Sequence, residues 1–283
     1  MRFSIVMPVK DEHELLRHSL PSCYNLNPDE VLLCFDDPPH NPTVREVERI
    51  ASYMNKTSST RIITIPKNPE YRFNQAWVRR QGFREARNDR ILTTDADIVL
   101  TKKALRAISI AGRDDIGLAS CTTLHCIRGV LGVWKAVAHR LADLASSAGI
   151  MGLYALWRPY WRDSEDESIK QLPDPRKEKV IGSRGIISED VYLRDRMREK
   201  HVCVHLKQVG GYNMRPDWPD QPNVQLELGR FYAESGYSIC STLARSIIFA
   251  RPHLFRGYLY QKTHVRCPDK VLKCPDRLME WAS

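Results

Sequence analysis

The chain has 283 residues, with 43 Lys plus Arg against 34 Asp plus Glu and a formal net charge of +9. Hydrophobic residues make up 42% and charged residues 27%, ordinary globular usage that excludes a disordered, collagenous or coiled-coil chain, and the length suits one large domain or two small ones. No stretch of transmembrane length is apolar and free of charge, and Met1 to Val9 has neither the basic start nor the long apolar run of a signal peptide. The expectation is a cytoplasmic protein whose eight Cys are free thiols. Charge alone does not choose among three anionic partners: nucleic acid, a membrane surface or a phosphate-bearing substrate.

In chain order, Phe3 to Val9 predicts a buried strand and Glu12 to Leu20, with Leu15, Leu16 and Leu20, the helix that follows it. Val31 to Phe35 predicts a second strand closing at Asp36-Asp37, Thr43 to Met54 a helix, and Arg61 to Ile65 a third strand. Asn74 to Glu85 predicts another helix, and Arg90 to Thr94 a fourth strand that stops at Asp95-Ala96-Asp97. Strands alternating with helices imply an α/β fold with a mostly parallel sheet covered on both faces, and ligands in such sheets sit outside the carboxyl ends of the strands. Beyond residue 100 the pattern is less regular. Gly129 to Ala148 predicts an amphipathic helix, Arg162 to Lys179 a loop, and Glu189 to Arg198 a helix. After Gly210 come two more helical patterns and a tail rich in Lys, Arg and Cys.

Two of the four strands end in paired acids. Residues two apart on a strand face the same way, so the end of the fourth strand delivers Asp95 and Asp97 to one side. Hard oxygen ligands of this kind suit Mg2+ or Mn2+, and an ion held by one or two carboxylates completes its shell with phosphate oxygens. A pair of solvated acids at a strand end is the competing reading.

On these residues the chain resembles glycosyltransferase family 2, the nucleotide-sugar-dependent group with the GT-A fold. Phe3 to Leu20 is similar to its first strand and helix, with Pro8-Val9-Lys10-Asp11-Glu12 in place of Pro-Val-Tyr-Asn-Glu, and Glu30 to Asp37 to its second strand. Arg79, Gly82, Ala86 and Asp95-Ala96-Asp97 match Ala-Arg-Asn-x-Gly followed by Asp-Ala-Asp, with thirteen residues from Gly82 to Asp95; Arg80 stands where the family has Asn. Ser188-Glu189-Asp190, followed by Leu193 and Arg196, resembles the Glu-Asp motif that opens the acceptor-side helix. The resemblance covers about Met1 to Leu206.

It implies a hexosyltransferase-type enzyme that moves a sugar from a nucleoside diphosphate to a carbohydrate or lipid-linked acceptor hydroxyl. Donor contacts would come from Pro8, Val9, Asp11, Asp36, Asp37, Arg79, Asp95 and Ala96. The ion, Mn2+ or Mg2+, would be held by Asp97 with Asp95 and His205. Asp190 would serve as general base in an inverting displacement, with Glu189 orienting it or the acceptor. The implied organisation is a GT-A catalytic domain over residues 1–209, with a nucleotide-sugar half at 1–100 and an acceptor half at 101–209, then a basic helical extension at 210–283.

Other readings suit the same sequence. A sugar-1-phosphate nucleotidylyltransferase would carry a Gly-rich basic loop after the first strand, whereas Lys10-Asp11-Glu12-His13 is acidic and without Gly. A nucleic-acid-binding module would concentrate its basic residues with interleaved aromatics, whereas these are spread, so no nucleic-acid partner is expected. Trp157, Trp161 and Trp218 suit either sugar stacking or core packing. Cys121 and Cys126 flank His125 without zinc-finger spacing and read as structural thiols, as do Cys267 and Cys274. Ile239, Leu243, Ile247 and Ile248 beside Arg245, Arg251, Arg256 and Lys262 suit two arrangements. One is a helix packed on the catalytic domain with a solvated basic face; the other is peripheral contact with an anionic membrane surface, at the inner face of the membrane.

Overall fold

The computed structural model describes residues 1–71, 74–125, 137, 153–166, 169–170, 189–214, 225–226, 229–230, 232–233, 237–248 and 251–264. The first half follows the sequence pattern closely. Strands β1 (Ser4–Val9), β2 (Glu30–Asp36), β3 (Thr60–Ile65) and β4 (Arg90–Thr94) alternate with helices α1 (His13–Tyr24), α2 (Asn41–Tyr53) and α3 (Asn74–Glu85). The strands pair in parallel in the order β3-β2-β1-β4, with Val9 opposite Phe35, Asp36 opposite Ile65 and Val6 opposite Thr93. Helical crossovers are what join parallel neighbours, so the expected α/β architecture is present.

The second half adds elements that the pattern did not announce. These are β5 (Ile98–Leu100), α4 (Ala104–Ile110), β6 (Ile116–His125), β7 (Leu153–Trp157), α5 (Arg158–Ser164), α6 (Glu189–Arg198) and β8 (Val202–Asn213), of which only α6 was predicted whole. β7 runs antiparallel to β4 and β6, and β5 antiparallel to β8, giving the mixed order β3-β2-β1-β4-β7-β6-β8-β5 among the described residues. Two expectations shift. Arg162 to Ser164 close α5 instead of opening a loop, because Pro159 starts a helix there, and β8 continues to Asn213, across position 209. The helix expected at Gly129 to Ala148 lies outside the described residues except for Val137, which is helical and exposed.

Alternation along the strands builds two cores. Ile5, Met7, Val31, Leu33, Phe35 and Leu92 face one side with Leu16 and Leu20 of α1 and Val47 of α2. Val6, Leu32, Cys34 and Ile91 face the other with Val78 and Phe83 of α3, Trp161 of α5, and Leu193 and Met197 of α6. Each fully buried side chain of this kind stabilises by about 1.5–3 kcal/mol, which explains why the strands read as continuous apolar runs. At the amino ends of the strands, Glu30 is buried and paid for by partners on several elements. It accepts from Ser4 Oγ at 2.7 Å, Arg61 Nη1 at 2.5 Å and the Arg87 backbone N–H at 2.8 Å.

Gly82 shows why α3 needs a glycine in mid-helix. A Cβ there would stand 2.5 Å from Val6 Cγ1 and 2.7 Å from Cys34 Sγ, both fully buried. Gly82→Ala gains about 1 kcal/mol of helix propensity but pushes α3 off β1 and β2, an overpacking cost of about 1–3 kcal/mol. The expected outcome is a lower unfolding midpoint in urea; an unchanged or raised midpoint would refute the close-packing argument.

The chain forms two compact units: Met1–Leu124, Ser147–Asp174 and Ile187–Met214 in one, and His125–Ser146, Pro175–Ile186 and Arg215–Ser283 in the other. The first holds the sheet and its helices. The second holds α7 (Ile239–Ile248) and α8 (Pro252–His264), joined at a corner where Ser246 Oγ donates to Arg251 O at 2.6 Å, while Tyr258 OH donates to Tyr237 O at 2.7 Å. Among the described residues no helix is long and apolar enough to cross a membrane.

Candidate active site

The parallel half of the sheet decides where the chemistry can be. Because β2, β1 and β4 are neighbours running the same way, their carboxyl ends bring three segments to one edge: Asp36-Asp37, Pro8 to Glu12, and Asp95-Ala96-Asp97. Val9 is buried and Asp11 exposed, so the loop after β1 leaves the core within two residues. That loop is closed by its own acid, with the Lys10 N–H donating to Glu12 Oε2 at 2.7 Å. Asp36 is half-buried at the end of β2, and Asp37 is exposed, its N–H donating to Ile65 O at 3.2 Å.

The turn after β4 is fixed at each residue. Arg79, buried on α3, donates through Nη2 to Asp95 Oδ1 at 2.5 Å, and Gln75 one helical turn earlier reaches the same oxygen at 3.5 Å. Ala96 is buried, and its carbonyl accepts from Ser19 Oγ of α1 at 2.6 Å. The Asp97 carbonyl accepts from Met214 N–H at 2.8 Å, and the Asp95 carbonyl from Ile98 N–H at 3.1 Å. Asp97 Oδ1 is withdrawn from solvent. Two carboxylates with rigid backbones at a strand end supply the hard oxygen donors that Mg2+ or Mn2+ takes, so the donor set fits the expected ion. Arg79 neutralises Asp95 in part.

Among the described residues His205 forms no cluster with Asp95 and Asp97 that would hold an ion. Ile98 pairs with Asn213, Val99 with Tyr212 and Leu100 with Gly211. His205 is eight residues up the strand from Asn213 and sits instead with its Nδ1 2.8 Å from Ser120 Oγ on β6. Asn213 is the β8 residue that the register sets beside the Asp95–Asp97 turn. Sequence reasoning passed over it because an Asn at a strand end carries no motif.

Glu189 and Asp190 open α6, as the motif implies. Further along this helix, Tyr192 and Arg196 line a pocket together with Arg79 and Arg80 of α3, Trp161 of α5, and Asp166. Arg79 thus borders the pocket and holds Asp95. Within the pocket, Tyr192 OH donates to Asp166 Oδ1 at 2.7 Å and Arg196 Nε pairs with Asp166 Oδ2 at 2.9 Å. Arg80, one residue and so about 100° further round α3, faces away from Asp95; it is buried and bonded to Tyr71 and Glu165. This tie replaces whatever contact an Asn would make at that position, and it was not legible because both partners come from unpatterned segments.

Two of the remaining aromatic candidates pack against neighbouring side chains. Trp161 is buried and packs edge-on against Phe83 at 5.3 Å, and Arg90 stacks over Trp157 at 5.0 Å. Trp218, Cys126, Cys267 and Cys274 lie outside the described residues. Burial pushes the Cys121 thiol up to about 11, far from a reactive thiolate.

Comparison with known proteins gives these observations a context. Residues 4–143 match the model of the family described as Glycosyl transferase family 2. No curated protein matches the chain. Among solved structures it is similar to the mannosyltransferase PcManGT from Pyrobaculum calidifontis in complex with GDP-Man and Mn2+, at 13% identity and a TM-score of 0.54, covering 93% of this chain and 70% of that one. It is also similar to residues 1–349 of S. aureus TarS, at 12% identity and a TM-score of 0.55, covering 99% and 78%. For the same TarS fragment in complex with UDP-GlcNAc the values are 14% and 0.53, again covering 99% and 78%. At these identities the likeness is one of fold.

Proposed function

The chain belongs to glycosyltransferase family 2 and is a nucleotide-sugar-dependent glycosyltransferase of the GT-A fold, and from this premise we propose a metal-assisted, inverting transfer to an acceptor hydroxyl with Asp190 as general base. The acceptor is a carbohydrate or a lipid-linked sugar. The observation that carries the reading is Arg79, which holds Asp95 at the end of β4 and borders the same pocket as α6, the helix that Glu189-Asp190 opens.

Each side chain has a task that its chemistry permits. Asp36 and Asp37, at the end of β2, accept hydrogen bonds from the nucleoside, and the Pro8-Val9 edge with Asp11 borders it. Arg79 holds Asp95 in one rotamer, so that the turn through Ala96 does not move when the donor arrives. Asp97, with Asp95, would hold the divalent ion. Bound there, Mn2+ or Mg2+ supplies Lewis-acid stabilisation of the charge that grows on the departing diphosphate. The Asp190 carboxylate takes the proton from the acceptor hydroxyl as its oxygen attacks the anomeric carbon from the face opposite the diphosphate. Glu189 orients the acceptor. The mannosyltransferase in complex with GDP-Man and Mn2+ and TarS in complex with UDP-GlcNAc support a donor and an ion of this kind. Family membership sets aside the nucleotidylyltransferase reading of the same sheet.

A thermal-shift screen of nucleotide sugars with and without Mn2+ tests this. A ligand at about a hundred times its Kd adds about 2.7 kcal/mol to apparent stability, so the donor is expected to raise the unfolding midpoint by several degrees, and more with Mn2+ present. A set of UDP-, GDP- and dTDP-sugars that leaves the midpoint unmoved in both conditions would count against the proposal.

A further inference from the structure

Helix α7 of the second unit is built inside out. Its buried residues are Thr242 and Ser246, whose hydroxyls donate to Ser238 O at 3.1 Å and Arg251 O at 2.6 Å. Its apolar residues are the exposed ones: Ile239 at 51%, Leu243 at 40%, Ile247 at 64% and Ile248 at 44%. Residues 239, 243 and 247 are four apart and form one stripe along the helix. One exposed Leu on a protein surface needs no explanation, but four large aliphatic side chains on a ten-residue helix that buries its hydroxyls do. On α8, Leu259 and Tyr260 are exposed as well.

Charge identifies the occupant of this face. No Asp or Glu occurs from Ser235 to Pro268, whereas Arg245, Arg251, Arg256, Lys262 and Arg266 do. Arg256 and Lys262 are exposed on α8, while Arg245 lies over the rings of Tyr232 and Tyr237 at 5.8 and 5.6 Å and Arg251 is buried. A second copy of the chain would set one acid-free basic segment against another, and like charges oppose that contact. An anionic lipid surface offers both hydrocarbon and negative charge. At about 1.5 Å rise per residue, a helix of this length spans about 15 Å, half a bilayer core, so it lies in the interface and does not cross.

We propose that α7, with the exposed side of α8, is a docking surface for an anionic bilayer. Ile239, Leu243 and Ile247 enter the boundary between headgroups and acyl chains, and Arg256 and Lys262 meet lipid phosphates. The proposal is independent of the roles assigned to Asp97 and Asp190.

The test is co-sedimentation of the full chain with vesicles of phosphatidylcholine plus phosphatidylserine, against vesicles of phosphatidylcholine alone. Binding to the mixed vesicles is expected, weaker in high salt and much weaker without phosphatidylserine. The triple variant Ile239→Asn, Leu243→Asn, Ile247→Asn changes only exposed positions, so its unfolding midpoint should match the parent while its partition falls on the order of a hundredfold. Arg256→Glu with Lys262→Glu should remove the preference for phosphatidylserine and serves if the first variant folds poorly. Three results would overturn the proposal: no binding to either vesicle, equal binding by parent and both variants, or a dimer by light scattering that the triple variant converts to monomer.

Discussion

Asp97→Ala is expected to lower sugar transfer by roughly 10³- to 10⁴-fold and to remove the dependence of nucleotide binding on Mn2+. The estimate rests on a lost divalent charge beside the diphosphate, worth several kcal/mol in the transition state, with about 1.4 kcal/mol per factor of ten in rate. The fold should not suffer, since the Asp97 backbone stays fixed by the Met214 N–H on its carbonyl and by the pairing of Ile98 with Asn213. Titration calorimetry of the nucleoside diphosphate with and without Mn2+ reads the binding half of the prediction, and steady-state transfer reads the other. His205→Ala is the control: its imidazole is against Ser120 on β6, up β8 from the Asp97 turn, so transfer should stay within about tenfold of the parent. Retained Mn2+-dependent binding in Asp97→Ala, or a His205→Ala loss as large as that of Asp97→Ala, would reverse the assignment.

The contrast between Asp97 and His205 shows what a sequence pattern can carry. Asp95 to Asp97 follows a strand whose neighbour β1, with β2 beyond it, comes from the same uninterrupted alternation of strand and helix, so local signals suffice to place the acids at one sheet edge. His205 needed the register of β8, which is set by pairing with β5 across more than a hundred residues. Short strands that are placed only by such long-range pairs, β5 and β7 above all, have no periodicity long enough to read. The same holds for Arg80: its buried ties to Tyr71 and Glu165 depend on where α5 comes to rest against α3. Gly82 is the opposite case, since a glycine inside a helix already signals a close approach, and Val6 and Cys34 are the atoms approached. For α7 the apolar and basic residues were legible, but which side of the helix faces out was not, because Thr242 and Ser246 turn inward against expectation for hydroxyls.

Asp190→Asn separates catalysis from architecture at the start of α6. An acid in the first turn of a helix interacts favourably with the helix dipole and the free N–H groups, and Asn serves a helix start nearly as well as Asp. A structural role should therefore survive the change with a loss of no more than about 1 kcal/mol in stability. A proton acceptor does not survive it, since the amide cannot take the acceptor hydroxyl's proton. We expect kcat to fall by roughly 10²- to 10⁴-fold, with the unfolding midpoint and nucleotide affinity little changed. Glu189→Gln, which removes an orienting contact but leaves the base, should cost less and act more on KM for the acceptor. The same reading requires that the product have the anomeric configuration opposite to that of the donor, which proton NMR of the transferred sugar reports directly. A retained configuration would exclude single displacement, and an Asp190→Asn enzyme with undiminished kcat would exclude this carboxylate as the base.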